Sequence, residues 1–599
     1  MKKMLENKIR RALDSLAAKE GLAETEALAP GRWVVEEPRD PDHGHLAANA
    51  ALVTSKVFRK KPADLADLIM AEIDNSEAYI EKMEKAGPGF INFTLSVKWW
   101  AQALAELLAA GDSFGRGQAK GRKVMVEYVS ANPTGPLHVG HGRGAAIGDA
   151  LCRVMARAGY DVSPEYYVND AGRQMRILGE SVFLRLKELA GGGDPFPGGF
   201  YAGSYIRDLA AEFSRQHPEV LELAKKAVAQ SAARPALPAA DVIAAMSDEE
   251  KDKTWGLIRD ELAAFRQSSG PEEHWFDDLT DFAQRKITEG IKADLAKFRV
   301  EHEVWFSEKS LYTNGMVEKA LEYMRNKGHL YDEAGALWFR SEDLGDDKNR
   351  VLIKNNGDKT YFAADIAYHW NKYDRGFDQV IDIWGADHHG YVPRMKAAVE
   401  ALGRSRDDLG VVLVQLVSLV RDGQPVAMST RAGEFVTLKE VLDEVGADAA
   451  RFMFLTRSPD SALEFDLDLA KAKTKDNPVY YVQYVGARIE SILRAEGEGG
   501  AAEAPADLSL LVQPEETALI KHLTAFPELI QSAAQRREPH HLTAYLTTLA
   551  RLFHHYYGRH RIACDDLSLA TARRSLIRAI RLVVRLGLDV LGVESPDSM

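Results

Sequence analysis

His138-Val139-Gly140-His141 places two imidazoles three residues apart, directly after a β-rich run, VMVEYVS at 124–130, that breaks at Asn132-Pro133-Thr134-Gly135-Pro136. A helix beginning there presents unpaired N–H groups and the positive end of its dipole, a ready site for a nucleoside triphosphate. The two rings point at one pocket and can donate to phosphate oxygens as charge builds, while Gly140 lets an adenine or ribose approach the backbone. Small-molecule adenylyltransferases share this pattern, so it indicates nucleotide chemistry before it indicates a substrate. Gly385-Ala386-Asp387-His388-His389-Gly390 is a second candidate and follows the run QVIDIWG. Its Asp and two His are metal-ligand types, but adjacent histidines on a regular strand do not both face one ion, and no metal site is expected.

A strand, a tight loop and a small-residue helix, GRGAAIGDALCRVMARAG, form the opening unit of a doubly wound nucleotide-binding sheet. Further strands are expected at SPEYYV (163–168), QVIDIWG (379–385) and VLVQLVSLV (412–420), so the sheet gathers distant parts of the chain. Ahead of it, apolar residues at helical spacing predict helices over 4–20, 46–59, 63–73 and 99–110, with a short strand in GPGFINFTLS (87–96). Glycine-rich GDSFGRGQAKG marks a boundary near 111–121. The expected fold is thus α/β and multidomain. An appended α+β domain spans 1–115, a Rossmann-type parallel-sheet domain 116–470 with a helical insertion at about 183–275, and an all-α bundle 471–599.

The 599 residues carry 76 Lys+Arg against 89 Asp+Glu, a formal charge of −13, with 46% hydrophobic and 28% charged residues. That composition excludes a single small module and global disorder. Cys152 and Cys564 are too few for a disulfide framework, and no stretch reaches the roughly 18 apolar residues of a membrane span, so a reducing, cytoplasmic setting without membrane contact is expected. The charge is uneven. Residues 551–585 hold eight arginines against Asp565 and Asp566, net +6, and Arg574, Arg578, Arg581 and Arg585 fall on one helical face suited to phosphates, with Arg559 nearby. Tyr480 and Tyr484 are available to stack splayed bases, as single-stranded RNA loops require, or else to pack a core.

VEYVSANPTGPLHVGHGR, EYYVNDAGRQM, TYFAADIAYHW, IWGADHHGYVPRMKAA, RAGEFVTL, DNPVYYVQYVGARI and LGLDVLGV together resemble, in order, the blocks of the class I aminoacyl-tRNA synthetases, and within them the arginyl-tRNA synthetase family. DPDHGHLAANAA and GPGFINF resemble the tRNA-binding N-terminal domain peculiar to that family. The resemblance implies an arginine–tRNA ligase whose substrates are L-arginine, ATP with Mg2+ and tRNA, with no tightly bound cofactor, no DNA partner and a monomeric state. The 471–599 region would then read the anticodon through Tyr480, Tyr484, Arg559, Arg574, Arg578 and Arg581. It further implies His138 and His141 as transition-state donors, and ATP contacts from Pro133, Gly140, His141, Gly385, Asp387 and Met428. A guanidinium is a planar, permanent cation that calls for carboxylates and aromatic acceptors, and Glu127, Tyr361 and Asp365 supply them. Ser130, Asn132 and His388 complete the implied arginine pocket. The family's K-M-S-K loop reads Ala427-Met428-Ser429-Thr430 here, without either lysine, leaving Arg431, Lys123 and magnesium as candidate cations for the leaving pyrophosphate. A non-catalytic tRNA-binding paralogue and a small-molecule adenylyltransferase are the alternatives.

Overall fold

The computed structural model describes the chain except residues 1, 23–30, 39, 193–195, 197–198, 232–237, 239–241, 244–245, 269–273, 427–435 and 496–505. Its centre is an all-parallel five-stranded sheet of β1 (Lys123–Glu127), β2 (Asp161–Val168), β3 (Val304–Ser307), β4 (Gln379–Gly385) and β5 (Leu409–Val414). The spatial order is β5-β4-β1-β2-β3. The chain therefore starts in the middle, winds out to β3 and returns to the other side of β1. That reversal opens a crevice at the carboxyl ends of β1 and β4, where doubly wound sheets bind ligands. Val124, Met125, Val126, Val380 and Ile381 are fully buried, the apolar run expected of strands covered on both faces.

Helix α1 (Val139–Arg157) carries the crossover from β1 to β2 and is built from small residues because it lies close to the sheet. At Gly148 a Cβ would stand 2.2 Å from Cγ of Tyr128, the residue after β1, so no larger side chain fits without moving that strand end. Between β3 and β4, helix α2 (Tyr361–Asp374) buries Phe362, Ala363, Ile366, Ala367 and Tyr368. The segment expected as an insertion holds helices Ser204–Gln216, Pro218–Ser231 and Asp248–Ser268; the first two pack on helix Arg173–Leu189, and the first also on Trp275–Lys297.

Two expected elements differ from the structure. The run 412–420 is two strands in two sheets. β5 ends at Val414, and Val417–Arg421 pairs in parallel with Leu463–Asp466. The break falls at Gln415, whose carbonyl accepts from the buried Arg143 guanidinium at 2.9 Å, and at Leu416, 82% exposed. The helix expected from Leu46 begins only at Ala50, because Leu46–Ala48 pairs with Ile91–Phe93 in the four-stranded antiparallel sheet of the N-terminal domain.

Beyond Lys471 the described chain is helical, with long helices Pro478–Ala495, His541–Tyr557 and α3 (Leu567–Val590). No helix of the described residues is long and apolar enough to cross a membrane. The domains are joined by buried polar contacts. Arg451, fully buried, donates from Nε to Leu591 O at 2.8 Å and from Nη1 to Phe298 O at 2.9 Å, and its Nη2 pairs with Asp149 of α1. It fastens the C-terminal end to the catalytic sheet's first helix. Arg451→Met is expected to lower stability by about 3–5 kcal/mol, since Asp149 loses this buried partner, read as a fall in the thermal unfolding midpoint; an unchanged midpoint would remove Arg451 from this role.

Candidate active site

The site begins where β1 stops. Val129 and Ser130 both have positive φ, 69° and 40°. For a β-branched valine this conformation is strained, and such strain persists where the surroundings over-determine it. The turn folds Ser130 back so that its Oγ donates to Glu127 Oε1 at 2.9 Å and accepts from Tyr167 N at 3.1 Å. One hydroxyl thus ties the ends of β1 and β2 together.

At the start of α1, His138 is the N-cap. Its Nδ1 accepts from Gly140 N at 3.1 Å and His141 N at 3.3 Å, while His141 Nδ1 accepts from His138 N at 3.2 Å. This corrects the expectation of unpaired N–H groups at the helix start, since the reciprocal cap already uses them. The same bonds fix the tautomer of each ring, with hydrogen on Nε2. The rings stack at 3.6 Å between centroids. Burial holds the His138 imidazole below its ordinary value, and burial followed by the neighbouring His138 brings His141 down to about 3. Both rings are neutral donors near pH 7.

A cavity of about 590 Å³ lies at the switch point and is lined by Ser130, Asn132, His138, Gly140 and His141 on the β1–α1 side and by Gly385, Asp387 and His388 on the β4 side. The structure therefore brings eight of the expected residues to one place. Pro133 is buried outside the lining, and Met428 and Arg431 lie outside the described residues. Among the described lining residues Asp387 is the one carboxylate, and there is no lysine or arginine. Lys123 is no substitute: it begins β1, roughly 13 Å along the strand from the site at about 3.3 Å per residue. Asp387 and His388 are exposed and 3.7 Å apart, and no group of three or more ligand-type side chains among the described residues could hold a metal.

Glu127, Tyr361 and Asp365 do not line this cavity; they belong to an acidic and aromatic cluster behind it. Asp365 Oδ2 accepts from Tyr391 Oη at 2.5 Å, and Tyr391 packs on Trp384, which does line the cavity. Tyr361 is 62% exposed at the first turn of α2. Burial raises the Asp365 carboxyl, opposed by Tyr391. Glu308, which follows β3, is a member the sequence reading missed. It is buried, accepts from Tyr312 Oη at 3.3 Å and from Tyr167, and burial, reinforced by Asp365, pushes it up to about 7. The available signal was positional: like Glu127, it is a carboxylate at the carboxyl end of a parallel strand. Glu127 Oε2 accepts from the buried Lys372 at 2.6 Å, and burial pushes its carboxyl up against that pull.

On the C-terminal domain, Tyr480 and Tyr484 stack at 6.3 Å, and Tyr484, 38% exposed, stacks on His554 at 5.8 Å. The basic residues are more engaged than their spacing implied. Arg559 pairs with Glu515 at 2.9 Å, Arg581 with Glu490 at 2.7 Å and Asp597 at 2.8 Å, and Arg585 with Asp112. Arg574 donates to Thr571 at 2.8 Å, and Arg578 is half-buried with interactions of its own.

A Rossmann-type sheet with an H-x-G-H helix start, followed by a helical bundle with exposed aromatic rings, defines a class I aminoacyl-tRNA synthetase. Comparison with known proteins agrees. Residues 103–188 and 267–466 match the family described as tRNA synthetases class I (R), catalytic domain, residues 3–95 the arginyl tRNA synthetase N terminal domain, and residues 482–599 the DALR anticodon binding domain. The chain is 46% identical to an arginine–tRNA ligase of Desulfovibrio desulfuricans over 99% of both chains, and 48% identical to one of Desulfosudis oleivorans over 94% of both. The fold is that of the Thermus thermophilus arginyl-tRNA synthetase, with TM-score 0.73 over the whole of both chains at 22% identity. The chain belongs to the arginyl-tRNA synthetase family.

The raised Glu308 carboxyl has a stability consequence. Its folded value of about 7 exceeds the ordinary 4.5, so the site favours the proton, and this contribution is fully present below about pH 4.5 and lost as pH rises through 7. Glu308→Gln, which removes the ionisation, is expected to gain stability relative to the parent between pH 5 and 8, by up to roughly 3 kcal/mol. Urea unfolding at the two pH values checks this; a pH-independent difference would contradict it.

Proposed function

We propose that this chain ligates L-arginine to its tRNA in two ATP-dependent steps. The observation that carries the proposal is the pairing of a cavity at the switch point, walled by neutral His138 and His141 and by Gly385, Asp387 and His388, with the buried carboxylates Glu127 and Glu308 and the half-buried Asp365 behind it. Adenosine lies along Gly140, His141, Gly385 and Asp387, with Pro133 and Met428 as further ATP contacts. ATP brings Mg2+ as its counter-ion. The arginine amino and carboxylate groups are held by Ser130 and Asn132 beside His388, and the guanidinium reaches Asp365, Tyr361 and Glu308, with Glu127 beneath.

In the first step the arginine carboxylate attacks the α-phosphate in line and pyrophosphate leaves. His138 and His141 donate Nε2–H to the phosphate oxygens as charge builds, acting as fixed dipoles rather than proton carriers. Arg431 supplies the charge that the absent lysines would have brought to the pyrophosphate. In the second step the terminal ribose 2′-OH of tRNA attacks the adenylate and AMP departs. The bundle at 471–599 reads the anticodon, stacking bases on Tyr480 and Tyr484 with phosphates along Arg559, Arg574, Arg578 and Arg581, while the domain at 1–115 grips the tRNA elsewhere. The enzyme works as a cytoplasmic monomer.

Charging of tRNA with labelled arginine tests the proposal. Firm tRNA binding without charging would favour the paralogue reading, and adenylylation of another acceptor the small-molecule transferase. Asp365→Asn is expected to raise KM for arginine about 10- to 100-fold, the loss of one charge-assisted hydrogen bond, and to leave KM for ATP within twofold. An equal shift in both would remove Asp365 from the guanidinium site. Arg431→Ala is expected to slow pyrophosphate exchange about a hundredfold; an unchanged rate would dismiss it as the pyrophosphate cation.

A further inference from the structure

We propose that Lys372 is a positioning residue for arginine selection: with Asp382 and His369 it forms a buried relay that fixes Glu127 and Asp365, the two arginine-facing carboxylates, relative to each other. The inference rests on the function proposed above and concerns residues that touch no substrate.

The relay answers a problem created by the sheet. β1 and β4 are neighbouring parallel strands, and Glu127 stands opposite Asp382. Adjacent strands lie about 4.8 Å apart, so two buried carboxylates share one face of the sheet at a separation where like charges repel strongly. Lys372 comes down from α2 between them, fully buried. Its Nζ donates to Glu127 Oε2 at 2.6 Å and to Asp382 Oδ1 at 2.8 Å. The other Asp382 oxygen is 2.9 Å from His369 Nε2, and His369 Nδ1 is 2.8 Å from the carbonyl oxygen of Asp365. The other Glu127 oxygen accepts from Ser130, which lines the cavity. A continuous chain of hydrogen bonds thus runs from Ser130 and Glu127 through Lys372, Asp382 and His369 to the backbone of Asp365.

Two features distinguish this chain from a core contact. Both His369 nitrogens lie within hydrogen-bond distance of fixed oxygens, Asp382 Oδ2 and the Asp365 carbonyl, so the ring bridges the β4 acid to the helix backbone rather than filling space. Burying an ammonium costs several kcal/mol before pairing, so a helix needing only to fill space would carry leucine or methionine at 372. Tyr361, Asp365, His369 and Lys372 also follow one helical face, so a single rigid element carries the cargo contacts and their support. Rotation of Glu127 by one rotamer would misplace a carboxylate that must meet a planar cation.

The full-length chain is assayed by aminoacylation with separate titrations of arginine and ATP. Lys372→Met is expected to raise KM for arginine at least tenfold, to leave KM for ATP within twofold, and to narrow the preference for arginine over its neutral isostere citrulline, measured as competition. Arginine and ATP constants that move together, or an arginine constant that does not move in a folded variant, would overturn the relay. Should Lys372→Met fail to fold by circular dichroism, Asp382→Asn keeps the volume and breaks the same chain, and the same split between the two substrates decides. The parent enzyme separates the two claims. Failure of the parent to charge arginine would count against the proposed function, whereas a charging parent with an unmoved arginine constant in the folded variant would overturn the relay alone.

Discussion

Two carboxylates on neighbouring parallel strands, both out of water, cannot stay ionised without a cation between them, and the arrangement around Glu127 and Asp382 is built on that constraint. Burial alone would raise Asp382, yet Lys372 and His369 outweigh it and hold it at about 2, while Lys372 itself is raised because both acids favour its charged form. The lysine can reach this point because α2 turns the face carrying His369 and Lys372 toward the β1–β4 seam. The same helix starts at Tyr361 beside the acidic cluster, so the sheet order that makes the switch point also makes the cluster. Sheet, helix and charges form one device in which a defect in any part is felt by the others.

The nucleotide side obeys a different economy. His138 and His141 consume the first-turn N–H groups of α1 in capping each other, and in return present hydrogens on Nε2 from rings that burial keeps neutral. Neutral donors stabilise charge that develops during reaction without first binding a proton, which suits a site that acts by positioning. The described lining has no lysine or arginine, and His138 and His141 are the donors that the α1 side offers there. Arg143, one turn into α1, holds the carbonyls of Gln415, Ser458 and Ser461 at 2.8–2.9 Å and so sets the β5 wall against which the nucleotide would rest.

The sheet was legible in the sequence because its strands are buried on both faces and read as apolar runs, and because the H-x-G-H turn fixes where β1 ends. VLVQLVSLV defeated the reading for a local reason: nothing in that run marks Gln415-Leu416 as a break, since the cause is a guanidinium from α1, more than 270 residues earlier. Leu46–Ala48 was misread because a tertiary strand partner, Ile91–Phe93, outweighs helical periodicity over three residues. Around the candidate site, residues joined by local motifs come together at one cavity, whereas some of the acids behind it are gathered by topology alone. Glu308 belongs to no motif, and while Tyr312 lies one turn further on, its other neighbours Tyr167 and Asp365 arrive from two distant segments. Lys372 reads as an exposed helix lysine until the helix is laid over the seam.

The C-terminal arginines illustrate the opposite error, a pattern whose periodicity is right and whose partners are not local. Arg574, Arg578, Arg581 and Arg585 do follow one face of α3, yet Arg581 meets Glu490 and Asp597, and Arg585 meets Asp112 of the strap between the first two domains. Such half-exposed pairs are worth little each and are screened by salt, so a phosphate can take the place of a carboxylate at small cost. Arg585 reaches across to Asp112, whereas Arg581 pairs inside the C-terminal region, with Glu490 on the helix Pro478–Ala495 and with Asp597, and Arg574 donates to Thr571 of its own helix, so the periodicity alone does not tell which carboxylate or hydroxyl each guanidinium meets.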